Sequence, residues 1–196
     1  MSLYRPAIIS WCAVAVLSVS AVAQNTWQPY QFNGTEKFGY DIAYTQNGQR
    51  NEGQLTLDFE QQDGRTWLTV DGAVGEMSCS GRSPMDNAQA AQQALMMQCF
   101  TMAPILAAVY TPVWGMFMGQ SWALGAKWSM GSGDQGVSFE VTETCAYAGV
   151  DGLLAVVVAQ GNRMESCVAT DVALPLAMTM EQDDFSLSIE LTEFRR

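Results

Sequence analysis

Two kinds of hydrophobic pattern divide the chain. On both sides of a central stretch, apolar and polar residues alternate in short runs, which is the period-two pattern of half-buried β-strands. The clearest run covers residues 38–44, where aromatic and aliphatic residues occupy every second position. Asn47-Gly48 is typical of a tight hairpin turn, Asp63-Gly64 and Asp183-Asp184 mark further turns, and Asp71-Gly72 marks a turn or a bulge.

This pattern predicts roughly nine or ten antiparallel strands joined by short connections. The predicted strands are residues 38–44, 54–60, 67–70, 74–79, 121–130, 137–142, 153–159, 163–169, 174–180 and 185–191. Residues 153–159 are apolar at consecutive positions, so this strand is expected to be covered on both faces.

The central stretch has a different pattern. Between Asp86 and Lys127 there is no Asp, Glu, Lys or Arg. Ser83 and Pro84 suit a helix start, and the Ala, Gln, Leu and Met residues that follow are strong helix formers, which predicts a helix over 86–103. Pro104 and Pro112 are expected to break or kink what comes next.

Together these elements predict a mainly β fold with one long helical insertion over residues 84–118. Because strand patterns flank the insertion, we expect a single curved antiparallel sheet, half-barrel-like, interrupted once and capped by the helix on its concave face.

The N-terminus has the features of a cleaved signal peptide. Arg5 supplies a positive charge, residues 7–19 an apolar core, and Ala21-Val22-Ala23 a cleavage signature before Gln24. We therefore expect residues 1–23 to be removed and 24–196 to form one β-rich domain that is periplasmic or extracellular. Loss of Arg5 changes the net charge from −11 to −12, which disfavours nucleic acid and anionic membranes as partners.

Four cysteines remain in the mature chain, an even number typical of a disulfide-bonded exported protein. They are Cys79, Cys99, Cys145 and Cys167. Three pairings are open, and the two local bonds, Cys79 with Cys99 and Cys145 with Cys167, are slightly favoured. In a flat meander the second pair would sit two strands apart, about 9.6 Å, which is too far for a disulfide. Either the strand end folds over or the pairing differs.

The sequence offers little for catalysis. It contains no histidine, which removes the common triads and zinc sites, so we predict no enzymatic activity, no cofactor and no metal. Gly119-Gln-Ser121 lacks the glycine that completes a nucleophile elbow. The glycine-rich run at 131–136 leads into a strand rather than a helix, so it is interpreted as a hairpin loop.

The insertion is the candidate functional element, because methionine and aromatic side chains there suit a flexible apolar ligand. We predict that it acts as a lid and binds a lipid, an acyl chain or a lipidated protein, with two sheet residues contributing. The candidates are Met96, Met97, Phe100, Met102, Tyr110, Trp114, Phe117, Met118, Trp122 and Trp128.

Two alternatives to a lid stay open at this point. The insertion is most simply a dry core helix that covers the sheet. In that case the protein is an envelope structural or protein-interaction domain. With either function we expect a monomer with a transient envelope partner. A transmembrane span over 94–118 is long enough, but it would leave two incomplete sheets on opposite sides of the membrane.

The order of elements also resembles a known family. The C-terminal patterns Cys167-Val-Ala-Thr-Asp-Val-Ala-Leu-Pro175-Leu and Glu190-Leu-Thr-Glu-Phe194 are similar to the closing strands of periplasmic lipoprotein-carrier (LolA/LolB-like) domains. The strand from Phe38 and the segment 125–128, which ends in Trp128, are compatible with that pattern. The resemblance implies an unclosed β-barrel whose concave face is capped by helices and binds acyl chains. The four cysteines and the single large insertion depart from that family.

Overall fold

The computed structural model of the chain describes residues 32–85, 97–114, 120–131, 136–159 and 161–196, and within 110–114 only the backbone. The strands and helical elements have the following bounds. They are β1 (Lys37–Gln46), β2 (Gln49–Gln62), β3 (Arg65–Val74), β4 (Met77–Pro84), a 3₁₀ turn (Phe100–Met102), α1 (Ala103–Trp114), β5 (Lys127–Met130), β6 (Val137–Tyr147), β7 (Val150–Ala159), β8 (Asn162–Val168), β9 (Ala177–Gln182) and β10 (Phe185–Arg195).

All ten strands form one open, curved antiparallel sheet, and the predicted fold class is confirmed. Their order is β4-β3-β2-β1-β10-β9-β8-β7-β6-β5. The sheet therefore consists of two meanders, β1 to β4 and β5 to β10, which meet where β1 pairs with β10. The two edge strands, β4 and β5, are the strands that flank the insertion, so the insertion links opposite edges of the sheet.

Glycines and β-bulges allow the sheet to bend. A Cβ atom on Gly53 would lie 1.9 Å from the backbone oxygen of Ala73, which no side chain tolerates. Bulges interrupt the register between Gly39 and Tyr40 and again in β6. Such devices increase local twist and curve a sheet without breaking it.

One face of the curved sheet is apolar across nearly its full width. Reading the register from β5 to β1 gives a row of residues that lie opposite one another in successive strands. This row is Trp128, Phe139, Val157, Met164, Met180, Leu187 and Tyr44. We call this surface the apolar face.

The insertion differs from the prediction where it is described. Ser83 and Pro84, predicted as a helix start, belong to β4. Residues 86–96 lie outside the described part of the chain, and the helix predicted to reach 103 is wrong at its end. Cys99 forms a turn and a 3₁₀ turn follows, and α1 then begins at Ala103. Pro104 explains the new start, because the first turn of a helix needs no donor there. The backbone of α1 continues through Pro112 to Trp114.

Within the described residues, no helix is long and apolar enough to cross a membrane. The α1 helix has 12 residues.

Three strand predictions need correction. Residues 174–176 belong to a buried irregular segment, since Pro175 cannot donate to a ladder, and β9 begins only at Ala177. Residues 121–126 are mostly a turn that precedes a short β5. Asp71-Gly72 lies inside β3, and the actual turn is Gly75-Glu76.

The sequence predicted cover on both faces of β7, but none of the strands and helices in the described part of the chain forms a second layer over its outer face. Val158 is 37% exposed there. Val156 is buried, and it lies directly between Glu140 and Glu165, whose carboxylates pair with cations. The stems of these long side chains take the place of a covering layer.

The structure contains the two local disulfides, Cys79–Cys99 and Cys145–Cys167. The second joins β6 to β8 across β7, yet its Cα atoms are only 6.1 Å apart. This short distance means that the end of β6 bends over β7 towards β8. The bulge between Val141 and Glu143 lies just before the bent end of β6, where a bulge increases the twist of the strand. Because disulfides persist in oxidising compartments, the two bonds point to an exported protein.

Candidate ligand-binding face

The apolar face carries two hydrophobic clusters. The main cluster lies over β1 to β4, β9 and β10, and α1 and its preceding turn press four buried side chains into it. These are Met102, Ile105, Leu106 and Val109. Their spacing of three or four residues places them on one side of the helix. The same cluster contains Phe38, Tyr40 and Leu55, each at most 1% exposed.

The irregular segment between β8 and β9 also packs into the main cluster. Its backbone is held by neighbouring strands, because Leu176 donates to the oxygen of Cys167 and accepts from the amide of Leu191. The hydroxyl of Tyr40, on the apolar face, donates to the oxygen of Pro175 over 3.0 Å. This segment therefore contributes to the cover over the β1 side of the apolar face.

A second cluster lies over β6 to β8 and the segment that precedes β5. Its buried members are Trp122, Phe139, Val141, Ala155, Val157 and Val168. Trp128 is half-buried against it and stacks on Phe139, with ring centroids 5.1 Å apart and planes 7° apart. The rings of Trp122 and Trp128 are 6.4 Å apart. None of the described α1 side chains belongs to this cluster.

Met164 joins the two clusters. It is partly buried, contacts both of them, and lies opposite Val157 on one side and Met180 on the other. Met178 and Met180 continue the row on β9. Three methionines thus occupy the middle of the sheet, where their flexible thioethers suit an irregular apolar surface.

The structure separates the residues that we had grouped as one lid. Met102 is core, with no exposed surface, whereas Met97 and Phe100 are 82% and 81% exposed. Only Trp122 and Trp128 come together, on the sheet side. The other five candidates are not tested. Met96, Phe117 and Met118 lie outside the described residues, and Tyr110 and Trp114 are described by backbone alone.

Sequence reasoning missed the sheet residues that surround the two tryptophans. Phe139, Val157 and Met164 were assigned to strands, and the alternation in β6 already placed Phe139 on an apolar face. The alternation in β6 therefore indicated an apolar surface here, although the insertion is richer in methionine.

The outer face of the sheet is polar. A groove of about 560 Å³ crosses β1, β2 and β10 and carries Asp41, Glu52 and Glu190. Arg50 pairs with Glu52 at 2.7 Å, and the Gln54 amide donates to Asp41 at 3.0 Å. Because these side chains bond to one another, the groove is a weaker candidate than the apolar face.

Neither metal binding nor the surface charge provides a better candidate site than the apolar face. Among the described residues, no group of three or more His, Cys, Asp or Glu side chains is placed to hold a metal ion. Acidic residues exceed basic ones by 11 along the chain, and many described cations are already paired with carboxylates.

No protein-family model matches the sequence, and no curated protein matches it. The resemblance to lipoprotein carriers therefore stays a prediction.

Three solved structures are similar to this chain in part. The complex structure of Pseudomonas aeruginosa MucA/MucB matches at 13% identity with a TM-score of 0.37, covering 83% of this chain and 52% of that one. MucB in complex with MucA(peri) matches at 14% identity with a TM-score of 0.36, covering 83% of this chain and 50% of that one. A DUF1329 family protein from Desulfovibrio piger matches at 9% identity and 0.25, covering 83% and 86%. The chain spans about half the length of the chains that it matches in the two MucB complexes, and superpositions with such scores do not constrain its ligand or partner.

Proposed function

We propose that this chain is an exported binding domain, without chemistry of its own, that holds a hydrophobic ligand against the β5–β8 half of the apolar face. The ligand class is a lipid, an acyl chain or the lipid-modified part of a protein. The observation that carries the proposal is the continuation of the apolar row beyond the contacts of α1, from Met164 to Trp128.

The composition of this half favours a flexible ligand. Trp128 provides a partly exposed flat ring, and the partly exposed Met164 adapts its shape at low cost. Trp122 and Phe139 are buried in the same cluster, with their rings close to that of Trp128. Described side chains of the second cluster carry no charge, so a ligand there would be bound by apolar contact. A carboxylate or phosphate group of the ligand would have to remain in solvent, outside the second cluster.

The test begins with the protein purified from an oxidising compartment without detergent. Organic extraction and mass spectrometry should recover an acyl species in a stoichiometric amount. In a parallel titration with dodecanoate, Trp128→Ala should weaken binding by about tenfold, because an aromatic contact contributes about 1 kcal/mol and tenfold in affinity corresponds to about 1.4 kcal/mol.

Trp67→Ala provides the matched control. Trp67 lies on β3, with the guanidinium of Arg82 4.7 Å from its ring centroid, and it belongs to neither cluster. Its loss should leave binding unchanged. A clean extract from folded protein, together with no dodecanoate binding by the parent chain, would overturn the proposal.

One observation favours a second candidate function, a protein-interaction domain. Met97 and Phe100 are large apolar side chains that are almost fully exposed, while the buried side chains before and on α1 form dry core. If the extract is clean, a photo-crosslinker at position 100 should capture an envelope protein, and one at the exposed Asp171 should not.

A further inference from the structure

The β4 strand lies at an edge of the sheet, and a short segment of the insertion is fixed along it. Edge strands present unpaired amides and carbonyls that can pair with another chain, so proteins cover or blunt them. Residues 97–102, which we call the guard, are bonded to β4 at three points.

The three bonds span the strand. The side-chain oxygen of Gln98 accepts from the backbone amide of Arg82 at 3.1 Å. The hydroxyl of Thr101 donates to the backbone oxygen of Ser78 at 3.0 Å. Between these positions, the disulfide joins Cys99 to Cys79.

Both hydrogen bonds use backbone groups that point away from β3. In an antiparallel pair such groups recur at every second residue, so those of Ser80 point outward as well. Gly81 permits the close approach of the guard, because a Cβ atom there would lie 2.6 Å from the side-chain oxygen of Gln98.

We propose that the guard blocks an edge that would otherwise pair with β4 of a second copy of this chain. The strand suits self-pairing, because Arg82 is its one ionised residue in a chain of net charge −11. An antiparallel pair centred on Ser80 places Arg82 opposite Ser78 of the other copy, so like charges do not meet. The two-fold arrangement closes as a dimer.

Cys79→Ala/Cys99→Ala is the direct test, followed by light scattering after size exclusion at increasing protein concentration. The dimer dissociation constant should fall by at least about tenfold relative to the parent. Cys145→Ala/Cys167→Ala is the matched control, because the sequence separations of 20 and 22 residues make the entropic effects of the two bonds similar. It should associate no more than the parent does.

Ser80→Pro, added to the first variant, identifies the interface. Proline removes the outward amide at the centre of β4, which edge strands tolerate in the monomer, and it should restore the parent dissociation constant. The proposal is wrong if the folded Cys79→Ala/Cys99→Ala protein stays monomeric, if both cysteine variants associate equally, or if Ser80→Pro leaves the dimer intact.

A variant that keeps both disulfides covers the case in which Cys79→Ala/Cys99→Ala does not fold. Gln98→Ala/Thr101→Ala removes only the two hydrogen bonds to β4. This variant should still lower the dimer dissociation constant measurably. If it stays monomeric at every concentration, the proposal that the guard blocks pairing of β4 is wrong. Association with another protein's strand instead of a second copy would also overturn the proposal as stated.

Discussion

The two halves of the apolar face have the same strand pattern but different contacts. Over β1 to β4, β9 and β10, the side chains of α1 and its preceding turn complete a core in which most large residues are fully buried. Over β5 to β8, the buried cluster is smaller, is rich in aromatic residues, and includes no described side chain of α1. A strand pattern thus states that a face needs cover, but it does not state which element supplies the cover.

The largest effect is expected from Gly53→Ala, which disrupts the close approach of β2 and β3 in the half of the sheet that carries the main cluster. The new methyl group would lie 1.9 Å from the oxygen of Ala73 and 2.6 Å from the Cα of Val74, so backbone must move. We expect a loss of more than about 4 kcal/mol of unfolding free energy, measured by urea denaturation. Thr56→Ala in the same strand should cost less than about 1 kcal/mol. Parent-like stability of Gly53→Ala would mean that β2 and β3 do not approach so closely.

Two buried valines, one in each half, are expected to show effects of intermediate size on the unfolding free energy. Val109 of α1 and Val157 of β7 are 0% and 3% exposed. Val109→Ala should lower the unfolding free energy by about 2 kcal/mol, because it removes buried methyl groups where helix and sheet meet. Val157→Ala should cost less, about 1 kcal/mol, because Val157 belongs to the smaller of the two clusters.

Ligand distinguishes the two valines further. If the β5–β8 half binds an acyl chain, saturating dodecanoate should stabilise the parent and Val109→Ala equally, and Val157→Ala less. Equal stabilisation of all three proteins would place the ligand elsewhere.

The smallest effect is expected on the surface, where the halves should behave alike. Lys127 and Lys37 each pair with a glutamate, at 2.7 Å and 3.4 Å, one in each half. Replacing either lysine by alanine should change the unfolding free energy by less than about 1 kcal/mol, and less still at high salt. A larger loss at one site would show that charge, rather than packing, separates the halves.

Much of the sheet was predictable because its signals are local. The alternation of residues 38–44 and the dipeptide Asn47-Gly48 identified a hairpin, and the hairpin is present. Local signals failed where a tertiary contact decides the structure. Leu174 and Leu176 alternate as strand residues do, but Pro175 between them has no amide to donate to a ladder. A buried hydrogen bond from Tyr40 to the oxygen of Pro175 holds the segment in place.

The candidate site was harder to predict than the fold. From the sequence alone, Met97 and Met102 are equally good candidates, because both lie in the same apolar run. Whether each faces the core depends on where the helix begins, and Pro104 and the bonds of Cys99 and Thr101 to β4 decide that. No periodicity in the sequence encodes these long-range bonds.

The meeting of β1 and β10 at the centre of the sheet has a consequence for how the chain acquires its structure. Tyr40 pairs with Leu191, so the middle of the sheet forms only after segments separated by most of the chain have found each other. Contacts of such high sequence separation make folding slow. The centre of the sheet therefore cannot form until β10 has been synthesised, although β1 to β4 are made first. That delay suits a polypeptide that must be threaded through a membrane before it folds and its cysteines are oxidised.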